Sequence, residues 1–116
     1  AVVVPVNPMN KSEELAHYVR DSDARVALAA QEMYREIEPH LGAGGIARCI
    51  LGAYSDYVTG DAGLKVPDFV RAPRLDPGRA EVALWREAIA AACVPGASLA
   101  DPEDLAVLPY TSGTTG

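Results

Sequence analysis

The run Tyr110-Thr111-Ser112-Gly113-Thr114-Thr115-Gly116 holds the residue types best suited to chemistry in this chain. Glycines permit positive φ and let a ligand approach the main chain. Successive amide N–H groups in such a loop form an anion-binding concavity. Hydroxyls on Thr111, Ser112, Thr114 and Thr115 add donors at close spacing. Together these groups suit the oxygens of a triphosphate. The spacing is not the GxxxxGK[ST] pattern, since Gly113 and Gly116 are three apart and the sequence stops before any lysine can be seen. The run offers donors but no Lys, Arg or metal carboxylate. It is therefore read as a binding loop, and no catalytic or metal-ligating residue is assigned to the chain.

Other residues that could do chemistry have plainer readings. Gly42-Ala43-Gly44-Gly45 is glycine-rich, but it follows a predicted helix and precedes a predicted strand. Phosphate loops run the other way, from strand into helix, so this stretch reads as a link. His17 and His40 read as surface residues, because no third partner stands at metal-ligand spacing. Glu13, Glu14, Asp21 and Asp23 read as the solvated face and cap of a helix. Trp85 reads as a core anchor, and Tyr54 and Tyr57 as cover for an otherwise bare sheet.

The elements that must position the loop follow from periodicity. Val2-Val3-Val4-Pro5-Val6 is a β-branched run suited to a strand buried on both faces. Pro5 costs a ladder bond and fits a strand end. Asn10 with Glu13 marks a helix start. Leu15, Tyr18 and Val19 keep helical spacing to an end near Asp21-Ser22-Asp23. A second strand is predicted over Arg25–Ala29 and a second helix over Gln31–Leu41, with Gly42 as its C-cap. A third strand is predicted over Ile46–Leu51. Residues Gly52 to Arg79 show no firm period, and a connection that long is functional or hides short elements. A third helix is predicted over Pro77–Ala92, from Val82, Trp85 and Ile89. Leu105–Tyr110 is a last strand leading straight into the hydroxyl-rich loop. This alternation predicts an α/β fold: a mainly parallel sheet with helices on both faces. In such sheets ligands bind outside the carboxyl ends of the strands.

Composition bounds the rest. The 116 residues carry 16 acids and 10 bases, for a net charge of −6. No basic stripe exists to displace phosphate counterions, so nucleic acid is not expected as a partner. No apolar run approaches the ~20 residues of a transmembrane helix, and the start of the chain lacks the basic region of a signal peptide. Cys49 and Cys93 form no CxxC pair and read as apolar core residues in a reducing cytoplasm. The chain begins inside an apolar run without methionine and stops inside a glycine-rich loop. It therefore reads as an excised piece of a longer protein, with an unpaired sheet edge that would favour homo-oligomers.

Leu105 to Gly116, LAVLPYTSGTTG, resembles the phosphate-loop motif of the adenylate-forming, AMP-binding superfamily, which continues it with a residue and Pro-Lys-Gly. Val2 to Ala29, with its strand, Pro-x-Asn-Pro turn, helix and Asp-Ser-x-Ala-x-Val element, resembles an upstream stretch of the same enzymes. The Asn-Pro-Met turn and the LPYTSGTTG wording look most like fatty-acyl and related acyl-CoA synthetases. The resemblance implies that Thr111, Ser112, Gly113, Thr114, Thr115 and Gly116 cradle the β- and γ-phosphates of ATP. It implies a ligase that activates a carboxylate with ATP and Mg2+ and then passes the acyl group to coenzyme A. Residues 1–116 would then be a single α/β fragment of a larger AMP-binding domain, ending inside the phosphate loop and inactive alone. The alternative is a non-catalytic flavodoxin-like nucleotide-binding or interaction module. A receiver of that fold needs paired acids after its first strand and an aspartate after its third. Here Asn7-Pro8 and Gly52-Ala53 stand there instead.

Overall fold

The computed structural model describes residues 1–60, 63 and 65–111. Its centre is a parallel sheet of β1 (Val26–Ala30), β2 (Arg48–Gly52) and β3 (Val82–Leu84), in that spatial order. The register pairs Ala27 with Cys49 and Cys49 with Val82. Ala29 likewise meets Leu51, and Leu51 meets Leu84. With a side-chain period of two, these residues share one face. Against it pack Leu15 and Val19 of α1 (Ser12–Ser22), Tyr34 and Ile37 of α2 (Tyr34–Ile37), and Ile46. Cys49 and Leu51 are fully buried there. Small Ala27 and Ala29 leave room for the larger residues of the helical layer.

Local sequence explains α1. Glu13 and Glu14 face its positive end and Arg20 its negative end. The cap is Lys11 rather than Asn10: the Glu14 carboxylate accepts the Lys11 N–H at 2.8 Å. Lysine has no side-chain acceptor, so only half of a capping box forms. Asp23 closes the helix in the left-handed region, at φ 50°.

Four predicted elements fold differently. The helix expected over Gln31–Leu41 is broken into a 3-10 turn (Gln31–Met33), α2, and a second 3-10 turn (Glu38–His40). Pro39 lacks the N–H that a continuous helix requires there. The helix expected over Pro77–Ala92 shrinks to α3 (Trp85–Ala90), because Val82–Leu84 pairs with β2 instead. Val82 and Leu84 thus follow the strand period, and tertiary pairing overrides the helical spacing of Val82 and Trp85. The first and last apolar runs do not join the sheet. They form one isolated parallel bridge, Val3 to Val107. Val3 N donates to Ala106 O at 2.9 Å and Leu108 N donates to Val3 O at 2.9 Å. Pro5 and Pro109 bound that ladder, since neither offers a donor. Val2 and Val3 are exposed, not buried on both faces.

Cover is unequal on the two faces. Opposite the helical layer, Val26 and Leu28 remain exposed. Leu28 and Ile50 line an open apolar depression with Tyr54, Tyr57 and Trp85. Trp85 is half-buried there rather than a core anchor, its Nε1 donating to the Tyr57 hydroxyl at 2.7 Å.

The stretch Gly42–Gly45 is a tight return, not a phosphate loop. Gly42, at φ 109°, gives its N–H to Ile46 O, and Ile46 N donates to His40 O. A Cβ on Gly45 would stand 2.4 Å from His40 O, so only glycine fits. Gly45→Ala should cost about 1–3 kcal/mol of stability by overpacking against backbone. Gly96→Ala, in open space, should stay within about 0.5 kcal/mol. Urea melts of the two variants check this.

The cysteines also part ways. Cys49 is buried as expected, but Cys93 is exposed, and both are free. Burial pushes the Cys49 thiol up to about 11. Alkylation needs the thiolate, so native protein at pH 8 should lose one thiol quickly to iodoacetamide, at Cys93. Cys49 should react only on unfolding. Peptide mapping after a timed pulse distinguishes the two.

Candidate functional site

Of the six residues expected to hold phosphate, only Thr111 is described, and it is exposed. Ser112, Gly113, Thr114, Thr115 and Gly116 lie outside the described residues. What the structure gives is the anchorage immediately before them. Tyr110 is half-buried against the last two turns of α1. Its ring centroid lies 4.7 Å from that of Tyr18 and 5.9 Å from that of His17, the latter edge-on. Such tilted and edge-to-face pairs are the favoured aromatic arrangements. The Tyr110 hydroxyl donates to the Asp21 carboxylate. Tyr18 is held in turn, its hydroxyl accepting from Asn10 Nδ2 at 3.0 Å. The bond to Asp21 pushes the Tyr110 phenol above its ordinary pKa, so the donor proton is retained through neutral and mildly alkaline pH.

Sequence reasoning took Asp21 for a solvated helix residue. Its spacing of three from Tyr18 and four from His17 does put all three on one side of α1. That signal was present. The partner, 89 residues further on, was not legible.

Asp21 is exposed as expected, whereas His40 is half-buried rather than a surface residue. Its Nε2 stands 2.9 Å from Ser12 Oγ and 2.8 Å from Ser12 O. A carbonyl oxygen only accepts, so Nε2 carries the proton. A protonated Nε2 cannot draw the proton from Ser12, and the pair is a clasp rather than a nucleophile and base. Glu36 completes it, accepting the Ser12 N–H at 3.0 Å and facing Lys11 Nζ at 3.6 Å. This clasp ties the start of α1 to the turn after α2.

Among the described residues no cluster of three or more His, Cys, Asp or Glu forms a metal cage. Mg2+ therefore has no ligand set of that kind in the described part of the chain. No helix among the described residues is long and apolar enough to cross a membrane.

The described residues form a parallel α/β sheet, and the sequence places a hydroxyl- and glycine-rich run after the last apolar segment. The model of one family, "AMP-binding enzyme", matches residues 1–116. The chain belongs to this family of adenylate-forming ligases, which use ATP, Mg2+ and a carboxylate. The match favours the ligase over a flavodoxin-like module. No curated protein and no solved structure matches the chain.

One carboxylate near the carboxyl end of β1 has no role in these contacts. Both oxygens of Glu32 are buried, with no hydrogen-bond partner among the described residues. An uncompensated buried carboxylate is costly. Glu32→Met, close in volume, should therefore raise the stability of the 116-residue chain by about 1–3 kcal/mol. Chemical denaturation against the parent sequence measures it, and equal or lower stability would mean the carboxylate is compensated.

Proposed function

We propose that this chain is part of the ATP-binding region of an acyl-CoA synthetase acting on a fatty acid or a related acid. A carboxylate oxygen of the substrate attacks the α-phosphorus of ATP. The bond to the bridging oxygen breaks, and pyrophosphate leaves with the electron pair. The coenzyme A thiol then attacks the acyl carbon of the acyl-adenylate, losing its proton as AMP departs. In this reading Thr111, Ser112, Gly113, Thr114, Thr115 and Gly116 hold the β- and γ-phosphates during the first step. Their contribution is to position the leaving group and stabilise the charge that builds on it. The family match across the whole chain, ending in the YTSGTTG wording, is the observation that carries this reading.

Residues 1–116 are proposed as one α/β piece of a larger AMP-binding domain, inactive by itself. Surface area supports this. The chain exposes 8871 Å², whereas a self-contained protein of this length exposes about 6,100 Å². Its radius of gyration is 16.4 Å, against about 13 Å for a compact domain. Val26 and Leu28 stand exposed on the open face of the sheet. Alone, that face and the sheet edges favour homo-oligomers. Two free thiols fit a reducing, cytoplasmic setting.

The test uses the full-length enzyme. It should catalyse carboxylate-dependent exchange of pyrophosphate into ATP and form a thioester with coenzyme A. Gly113→Val should raise the ATP KM at least tenfold or abolish turnover, with the fold intact by circular dichroism, because a side chain there blocks approach to the main chain. Unchanged ATP kinetics would remove the loop from the nucleotide site.

A further inference from the structure

Tyr110 stands one residue before Thr111 and two before Ser112. Whatever fixes Tyr110 fixes where the phosphate run leaves the body of the domain. The backbone cannot do this alone. Its pairing with Val3 ends at Leu108 N, and Pro109 has no N–H to continue it. The side chain of Tyr110 supplies the second anchor. Tyr18 packs a tilted ring against it, His17 meets its edge, and Asp21 takes its hydroxyl bond. All three come from α1, an element that contributes no residue to the phosphate run itself.

We propose that Asp21 and Tyr18 are positioning residues for ATP, acting through Tyr110 on the phosphate-binding run. The proposal rests on the reading that this run binds the triphosphate. A glycine-rich run is costly to order when a ligand arrives. Fixing the residue just before it removes part of that cost in advance. The contribution falls on the nucleotide, because Tyr110 adjoins the run in sequence. The Asp21–Tyr110 bond sets the reach of the tyrosine, and the Tyr18 ring sets its plane.

In the full-length enzyme, KM for ATP and for the carboxylate is measured in Asp21→Ala, Tyr110→Phe, the double variant, Asp21→Asn and Gly113→Val. Asp21→Ala and Tyr110→Phe should each raise the ATP KM about three- to tenfold and leave the carboxylate KM within about twofold. The double variant should be no worse than either single one, since both remove the same bond. Asp21→Asn keeps an oxygen acceptor and should restore an ATP KM near that of the parent. A merely structural role would lower the melting temperature and the active fraction without separating the two KM values. If Asp21→Ala and Tyr110→Phe leave the ATP KM unchanged while Gly113→Val raises it, the positioning role is overturned and the phosphate reading stands. Equal rises in both KM values overturn the positioning role as well. If Gly113→Val also leaves the ATP KM unchanged, the phosphate reading itself falls.

Discussion

The central strand β2 is the constraint on which the rest of the structure depends. It is paired on both sides, and its alternate residues Cys49 and Leu51 are the largest fully buried side chains among the described residues. Parallel pairing demands a crossover between each pair of strands. The first crossover is the broken helical stretch through α2, which brings Tyr34 and Ile37 over Cys49 and Leu51. That same stretch carries Glu36 and His40, which clasp Ser12 and so set where α1 begins. The placement of α1 is thus inherited from the sheet, and the placement of Tyr110 from α1.

The sequence was most legible where one signal acted alone. The helix around Leu15, Tyr18 and Val19 and the strands around Val26 and Cys49 appear within a residue or two of their predicted bounds. Reading failed where two signals competed. Val82, Trp85 and Ile89 have helical spacing, yet Val82 and Leu84 also alternate, and the free edge of β2 decided the matter. Pro39 was visible in the sequence, but its effect on the segment around it outweighed the helical spacing of Met33, Ile37 and Leu41. The terminal runs were legible as partners only in part. Their composition spoke for strands, and their prolines limited them to one bridge.

The site is a different case. The hydroxyl and glycine run is read from residue types alone, and all of it but Thr111 lies outside the described residues. The anchorage behind it depends on contacts distant in sequence, and no local pattern reveals those. Asp21 looked like any acid at a helix end, and only Tyr110 gives it meaning. His40 shows the reverse. Its proximity to Ser12 invites a catalytic reading, and the neighbouring carbonyl withdraws it.

The bridge between Val3 and Val107 and the contact between Asp21 and Tyr110 join opposite ends of the chain. The sheet, by contrast, joins segments much closer in sequence. Closing a long loop carries more entropy than closing a short one, and distant contacts slow folding. During synthesis β1, β2 and β3 emerge, with their covering helices, before Tyr110 exists. The scaffold can therefore take shape on the ribosome first, and the segment around Tyr110 is added afterwards, onto a helix already in place.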